Sequence, residues 1–161
     1  MIFMRQLLMF IVISLVFAAC APTPNHVAAT PAQTAPLATQ LGCQPSQTQL
    51  SKNSFSEVQG TMQSDGELWA LLFFDKAHAQ QDEKIVWRMT GTGGPFKDQA
   101  QHEDGTIIHP IWGPEFHGGS NWERPGDEWG TGFNFPKPGC WTLTATLGAT
   151  VGEIRLEVLA P

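Results

Sequence analysis

Tyrosine is missing from this chain of 161 residues, and cysteine occurs only three times. The first absence removes one frequent acid/base group from any catalytic reading. The second leaves no Cys-x-x-Cys pair and no Cys/His zinc spacing, so a structural zinc site has no support. There is no Gly-x-Ser-x-Gly elbow, no phosphate-cradling glycine loop and no His-Glu-x-x-His helix. The usual signatures of hydrolases, nucleotide binders and helical metalloproteases are therefore lacking, and the chain reads as non-catalytic, with no cofactor. Positive charge is also scarce, nine Lys and Arg against 15 Asp and Glu. Such an acidic balance repels phosphate backbones and anionic lipid surfaces, which argues against a nucleic-acid partner. No internal repeat is present.

What is there begins with "MIFMRQLLMFIVISLVFAA". One cation, Arg5, precedes an uncharged run of 13 residues from Leu7 to Ala19. As a helix that run is about 20 Å long, short of a bilayer core and suited to the apolar region of a signal peptide. It ends in "FAAC", which resembles a bacterial lipobox, with Phe17 where that pattern usually has Leu, Val or Ile. The resemblance implies that residues 1–19 are a signal peptide, that Cys20 carries the lipid, and that cleavage falls just before it. The membrane is then a partner through the lipid alone. Residues 20–42 continue as "CAPTPNHVAATPAQTAPLATQLG", without one Asp, Glu, Lys or Arg. That composition cannot bury a core and predicts a disordered Ala/Pro/Thr linker, about 25 Å across as a coil and on the order of 70 Å when extended. Losing the signal removes Arg5 and leaves eight basic and fifteen acidic side chains, a net charge of −7. The expected location is the cell membrane or outer membrane, with the folded part on the extracytoplasmic side.

With Cys20 lipidated, Cys43 and Cys140 remain as an even pair in an oxidising compartment, which predicts a disulfide between them. Two buried free thiols are the alternative. The 119 residues from Cys43 to Pro161 suffice for one core and one domain. In "CWTLTATL", Trp141, Leu143, Ala145 and Leu147 alternate with threonines. In "EIRLEVL", Ile154, Leu156 and Val158 alternate with Arg155 and Glu157. Period two on both sides of "GATVG" predicts a hairpin of half-buried strands. "ELWALLFF", "KIVWRMTG", "SEVQGTM", "TIIHPIW" and "TGFNFP" read as further strands, with Pro110 marking an edge. "DKAHAQQDEK" is the one helical-looking stretch. The expectation is an all-β, antiparallel sandwich of about seven strands. The segment "PGCWTLTATLGATVGEIRLEV" resembles the last two strands of bacterial Ig-like domains, with Trp141 where those usually place a Tyr. Together with the lipobox and linker, the chain resembles uncharacterised bacterial Ig-like lipoproteins, a likeness that implies an architecture and no activity. The domain is expected to be monomeric.

Between the strands lies "FHGGSNWERPGDEWG", read as a long loop from Phe116 with a turn at Pro125 and Gly126. Four readings compete for it. Trp122 and Trp129 can fold back over the sandwich end, with Arg124 paired to Asp127 or Glu128. Alternatively, Asn121, Trp122, Glu123, Arg124, Asp127, Glu128 and Trp129 form a binding site for a cell-envelope glycan or protein, rigid aromatics stacking while polar neighbours hydrogen-bond. A third reading takes His109, Glu115 and His117 as zinc or copper ligands, Glu115 and His117 sharing a face if that piece is extended. A fourth compares "GTGG" (Gly91–Gly94) and "ERPGDEW" with the glycine-rich and Arg-Pro-Trp loops of Ig-like cysteine-protease inhibitors.

Overall fold

Alternation of apolar and polar residues can be satisfied only by a sheet with one face turned to a core, and the chain builds two such sheets. The computed structural model describes residues 42–161. The expected signal peptide (1–19), the expected lipidation site Cys20 and nearly all of the expected linker (20–42) lie outside the described residues. The first six strands are β1 (Thr48–Leu50), β2 (Ser56–Gln59), β3 (Thr61–Met62), β4 (Leu68–Leu72), β5 (Ala77–His78) and β6 (Asp82–Met89). The remaining six are β7 (Phe96–His102), β8 (Ile107–Ile108), β9 (Trp112–His117), β10 (Asp127–Asn134), β11 (Gly139–Leu147) and β12 (Thr150–Leu159).

The front sheet runs β1-β2-β4-β6-β10-β9, and the back sheet runs β3-β12-β11-β7-β8 with the short β5 beside β12. All pairings are antiparallel except β5 with β12. The all-β sandwich expected from the sequence is thus present, with twelve strands among the described residues where about seven were expected. Part of the excess comes from splitting: "SEVQGTM" is two strands, β2 in the front sheet and β3 in the back, divided at Gly60. "TIIHPIW" likewise divides at Pro110 into β8 and the start of β9, one at the edge of each sheet. The helical expectation for "DKAHAQQDEK" is corrected: Ala77 and His78 form β5, and Asp82 opens β6. Ala77 and Ala79 sit in the core there, and without an apolar stripe nothing drives that stretch to coil.

The expected hairpin is β11–β12, in register from Gly139↔Val158 to Leu147↔Thr150. Its inward set, Trp141, Leu143, Ala145, Ile154, Leu156 and Val158, packs against Leu68, Ala70, Ile85, Trp87, Met89 and Phe133 from the front sheet. Phe133 and Phe135 both enter this core, their rings stacked 5.8 Å apart. Trp141 is fully buried, and its indole N–H donates to the Lys137 carbonyl (3.2 Å), tying the Pro136–Pro138 corner to the strand that follows. Cys43 and Cys140 form a disulfide with Cα atoms 5.2 Å apart. It fixes the entering chain to the outer side of the back sheet, where Ser46 also exchanges hydrogen bonds with the Arg155 backbone.

Candidate functional site

The outer face of the front sheet should meet water, yet it is covered. Strand register places three rows of side chains across it. One row holds Gln49, Glu57, Leu71, Val86 and Gly130; a second holds Gln59, Trp69, Arg88, Glu128 and His117. The third holds Lys84, Gly132 and Trp112, extended by Phe73, whose N–H donates to the Lys84 carbonyl, and by Phe55 against Phe73. β4 is therefore buried on both faces, which is what its unbroken apolar run requires.

The cover is the β9–β10 connection, residues 118–126, shorter than the loop expected from the sequence because Phe116 and His117 belong to β9 and Asp127, Glu128 and Trp129 to β10. Trp122 closes a second apolar cluster with Trp69, Leu71 and Val86. Its indole N–H donates to Glu57 (2.7 Å), and the Arg124 guanidinium pairs with the same carboxylate while lying 3.8 Å from the Trp69 ring centroid. Burial pushes the Glu57 carboxyl up, but hydrogen bonds from Arg124, Trp122 and Gln49 outweigh that and hold it below the usual carboxylate range. The hydrogen bond to Glu57 raises Arg124 above its ordinary value. On the other side, Glu128 is buried and accepts from Arg88 (2.8 Å) and Ser120 (2.5 Å), with His117 Nδ1 3.6 Å away. Arg88 also donates to the Arg124 carbonyl (2.5 Å). Lys52 pairs with Glu123, and Asn53 donates to Asn121 (3.4 Å), joining the β1–β2 turn to the loop. Gly126 has φ +93°, and a Cβ added there would collide with the Met89 carbonyl, so any side chain would lift the loop's end off β6.

Of the residues expected to bind a ligand, Asn121, Trp122, Glu123 and Arg124 lie in this loop, and Asp127, Glu128 and Trp129 begin β10. Two expectations change. Trp122 is 6% exposed and Trp129 8%, so neither offers a free stacking face. Trp129 turns into the main core and stacks on Phe96 at 4.5 Å, whereas Trp122 belongs to the outer cluster. Arg124 pairs with Glu57, and Glu128 takes Arg88 instead. A strand pairing across 40 or more residues is invisible to local spacing, and Glu57 and Arg88 were missed for that reason.

Phe116, the most exposed aromatic beside the loop (66%), stands edge-on to Trp129, while Phe55 (39%) and Phe73 (42%) are exposed on the sheet's outer face. The Phe55 and Phe73 ring centroids are 4.7 Å apart, and Lys84 Nζ stands 4.5 Å from the Phe73 centroid. With Leu71, Val86, Trp122, His117, Ser120 and Asn121 they line an open groove of about 200 Å³. The run "LLFF" was the only sequence signal for it.

The metal reading fares differently. β9 is extended and puts Glu115 and His117 on one face, as expected. His109 follows β8 and borders Lys97, Gln99, Thr144 and Thr146 on the back sheet's outer side. Among the described residues no three His, Cys, Asp or Glu side chains are grouped to hold a metal ion. The inhibitor-like loops do approach each other, since Gly126 abuts Met89 and Thr90 at the start of the Gly91–Gly94 turn. Arg124, however, is drawn onto the sheet face by Glu57 and does not project from the sandwich end.

Fold and face together define an all-β sandwich with a clamped loop and an adjoining amphipathic groove. Compared with protein-family models, curated proteins and solved structures, the chain matches none.

Proposed function

We propose that this chain is a lipid-anchored, extracytoplasmic binding module of the cell envelope, monomeric and non-catalytic, taking a glycan or protein ligand on the outer face of its front sheet. The observation that carries the reading is the groove beside residues 118–126, where two aromatic rings stay exposed next to a loop pinned by buried ion pairs. A connection of this length needs no such clamp to join two strands, and a rigid loop beside exposed aromatics suits a binding surface. The buried carboxylates Glu57 and Glu128 spend their lone pairs holding the loop, which fits binding better than acid/base chemistry.

The test is the melting temperature of the full chain in detergent against cell-envelope polysaccharides, with zinc, copper and chelator as controls. A ligand at a hundred times its dissociation constant should add about 2.7 kcal/mol, several degrees for this size. The shift should vanish in Phe73→Ala. A flat panel, with no protein cross-linked to this face in intact cells, would reject the reading. Cys20→Ala should abolish membrane retention, measured by fractionation; a variant still wholly in the membrane fraction would remove the lipid anchor.

A further inference from the structure

Of the two charged side chains that line the groove, Glu128 is paired and Lys84 is not. Arg88 is held by Glu128, Arg124 by Glu57, and Lys52 by Glu123. Lys84 has no acid within ion-pair distance among the described residues, and its ammonium rests on the Phe73 ring. Asp82, two residues along the same face of β6, is held by the Asn134 amide, and neither it nor Glu115 lines the groove, so Lys84 is the one unpaired charge at its wall, set beside an aromatic surface. We infer that the groove binds a carboxylated sugar ring, a pyranose whose apolar face lies on Phe55 and Phe73 and whose carboxylate meets Lys84. This rests on the binding-module reading and names its ligand class.

Three features select that chemistry. The two phenyl rings lean on each other at 37° with centroids 4.7 Å apart, and the ring surface they leave exposed is apolar ground that a C–H face can cover. At the far end His117 and the exposed Asn121 offer a ring nitrogen and an amide to hydroxyls, while Ser120 is already committed to Glu128. The volume of about 200 Å³ lies below that of drug-sized pockets and fits one ring. A peptide is a poorer match. The groove lies on a sheet face, where the backbone groups of β4 and β6 are already paired with neighbouring strands, so no edge is offered for strand addition.

The experiment is calorimetric titration of the full chain in detergent at low salt with four probes: trigalacturonate and an N-acetylmuramic-acid disaccharide, and their neutral counterparts, a galactose trisaccharide and chitobiose. A carboxylated probe should bind about tenfold more tightly than its neutral counterpart, the gain of one charge-assisted hydrogen bond. About 0.5 M NaCl should narrow the gap. Whichever acidic probe binds tells a uronate polymer from a cell-wall sugar. Lys84→Gln should bring acidic-probe affinity down to that of the neutral sugar, and Phe55→Ala or Phe73→Ala should abolish binding. Lys97→Gln, on the opposite sheet, should change nothing; melting curves would verify that each variant folds. Equal affinity for acidic and neutral sugars, or indifference to Lys84→Gln, would overturn the carboxylate assignment and leave a neutral-glycan module. Binding of no probe, with a protein cross-linking to Phe73-face residues, would overturn the sugar and keep the module. No ligand of either kind would overturn both.

Discussion

A carboxyl group enclosed by indole and threonine is better protonated than charged, and Asp98 sits in that position. It points inward from β7, 7% exposed, with neither oxygen in hydrogen-bonding geometry with a partner. The neighbouring Trp87 indole N–H donates instead to Thr131 (2.9 Å). Burial pushes Asp98 up to about 6, opposed by its polar neighbours Thr131 and Trp87 and, weakly, by the charge of His109. A raised carboxyl binds its proton more tightly folded than unfolded. Its favourable contribution is therefore complete below about pH 4 and lost as pH rises past about 6. The loss amounts to about 3 kcal/mol. Asp98→Asn, neutral at every pH, should gain on the wild type by roughly that amount between pH 4 and pH 7 in denaturant titrations. A difference that does not change with pH would mean the buried carboxyl carries no such cost.

At the scale of an element, residues 118–126 stay down because Glu57 takes Trp122 and Arg124 together. Glu57→Ala should cost about 2 kcal/mol, less than a fully enclosed pair loses because Arg124 is partly in water. The sharper expectation is local. Amide hydrogens of residues 119–126 should lose exchange protection while β11 and β12 keep theirs. Equal loss in both would show the loop to be part of the global fold and not a clamped attachment. What the sequence discloses of these elements follows from where each strand's neighbours lie. β11 and β12 were legible because one face meets the core and the other meets water, so polarity alternates. β7 was not, since its inward set, Phe96, Asp98, Ala100 and His102, includes two polar groups that hide the alternation. β4 read as a strand, but its apolar run did not say what covered its second face; Trp122, more than fifty positions away, does. The loop was recognised from its tryptophans and turn residues. The groove was not, because Phe55, Phe73 and Lys84 meet only through the register of β2, β4 and β6.

At the scale of the whole molecule, the disulfide and the groove sit on opposite sheets. Cys140 faces outward from β11 beside Thr142, whereas the groove lies across the core on β4 and β6. The bridge spans 97 residues of sequence, so in the chain-entropy view it stabilises by restricting the unfolded chain, by up to about 4–5 kcal/mol. That contribution has no route to the groove except through the folding equilibrium, because distant sites without shared partners act independently. The Cys43→Ser/Cys140→Ser double variant should therefore lose several degrees of melting temperature. Well below that temperature, any ligand that shifts the wild type should bind it within about twofold. Weakened binding in a variant that is still fully folded would reveal a coupling through the core. The packed aromatic set Phe133–Phe135–Trp141, which touches the bridge's own strand and reaches β10, would be its first candidate path.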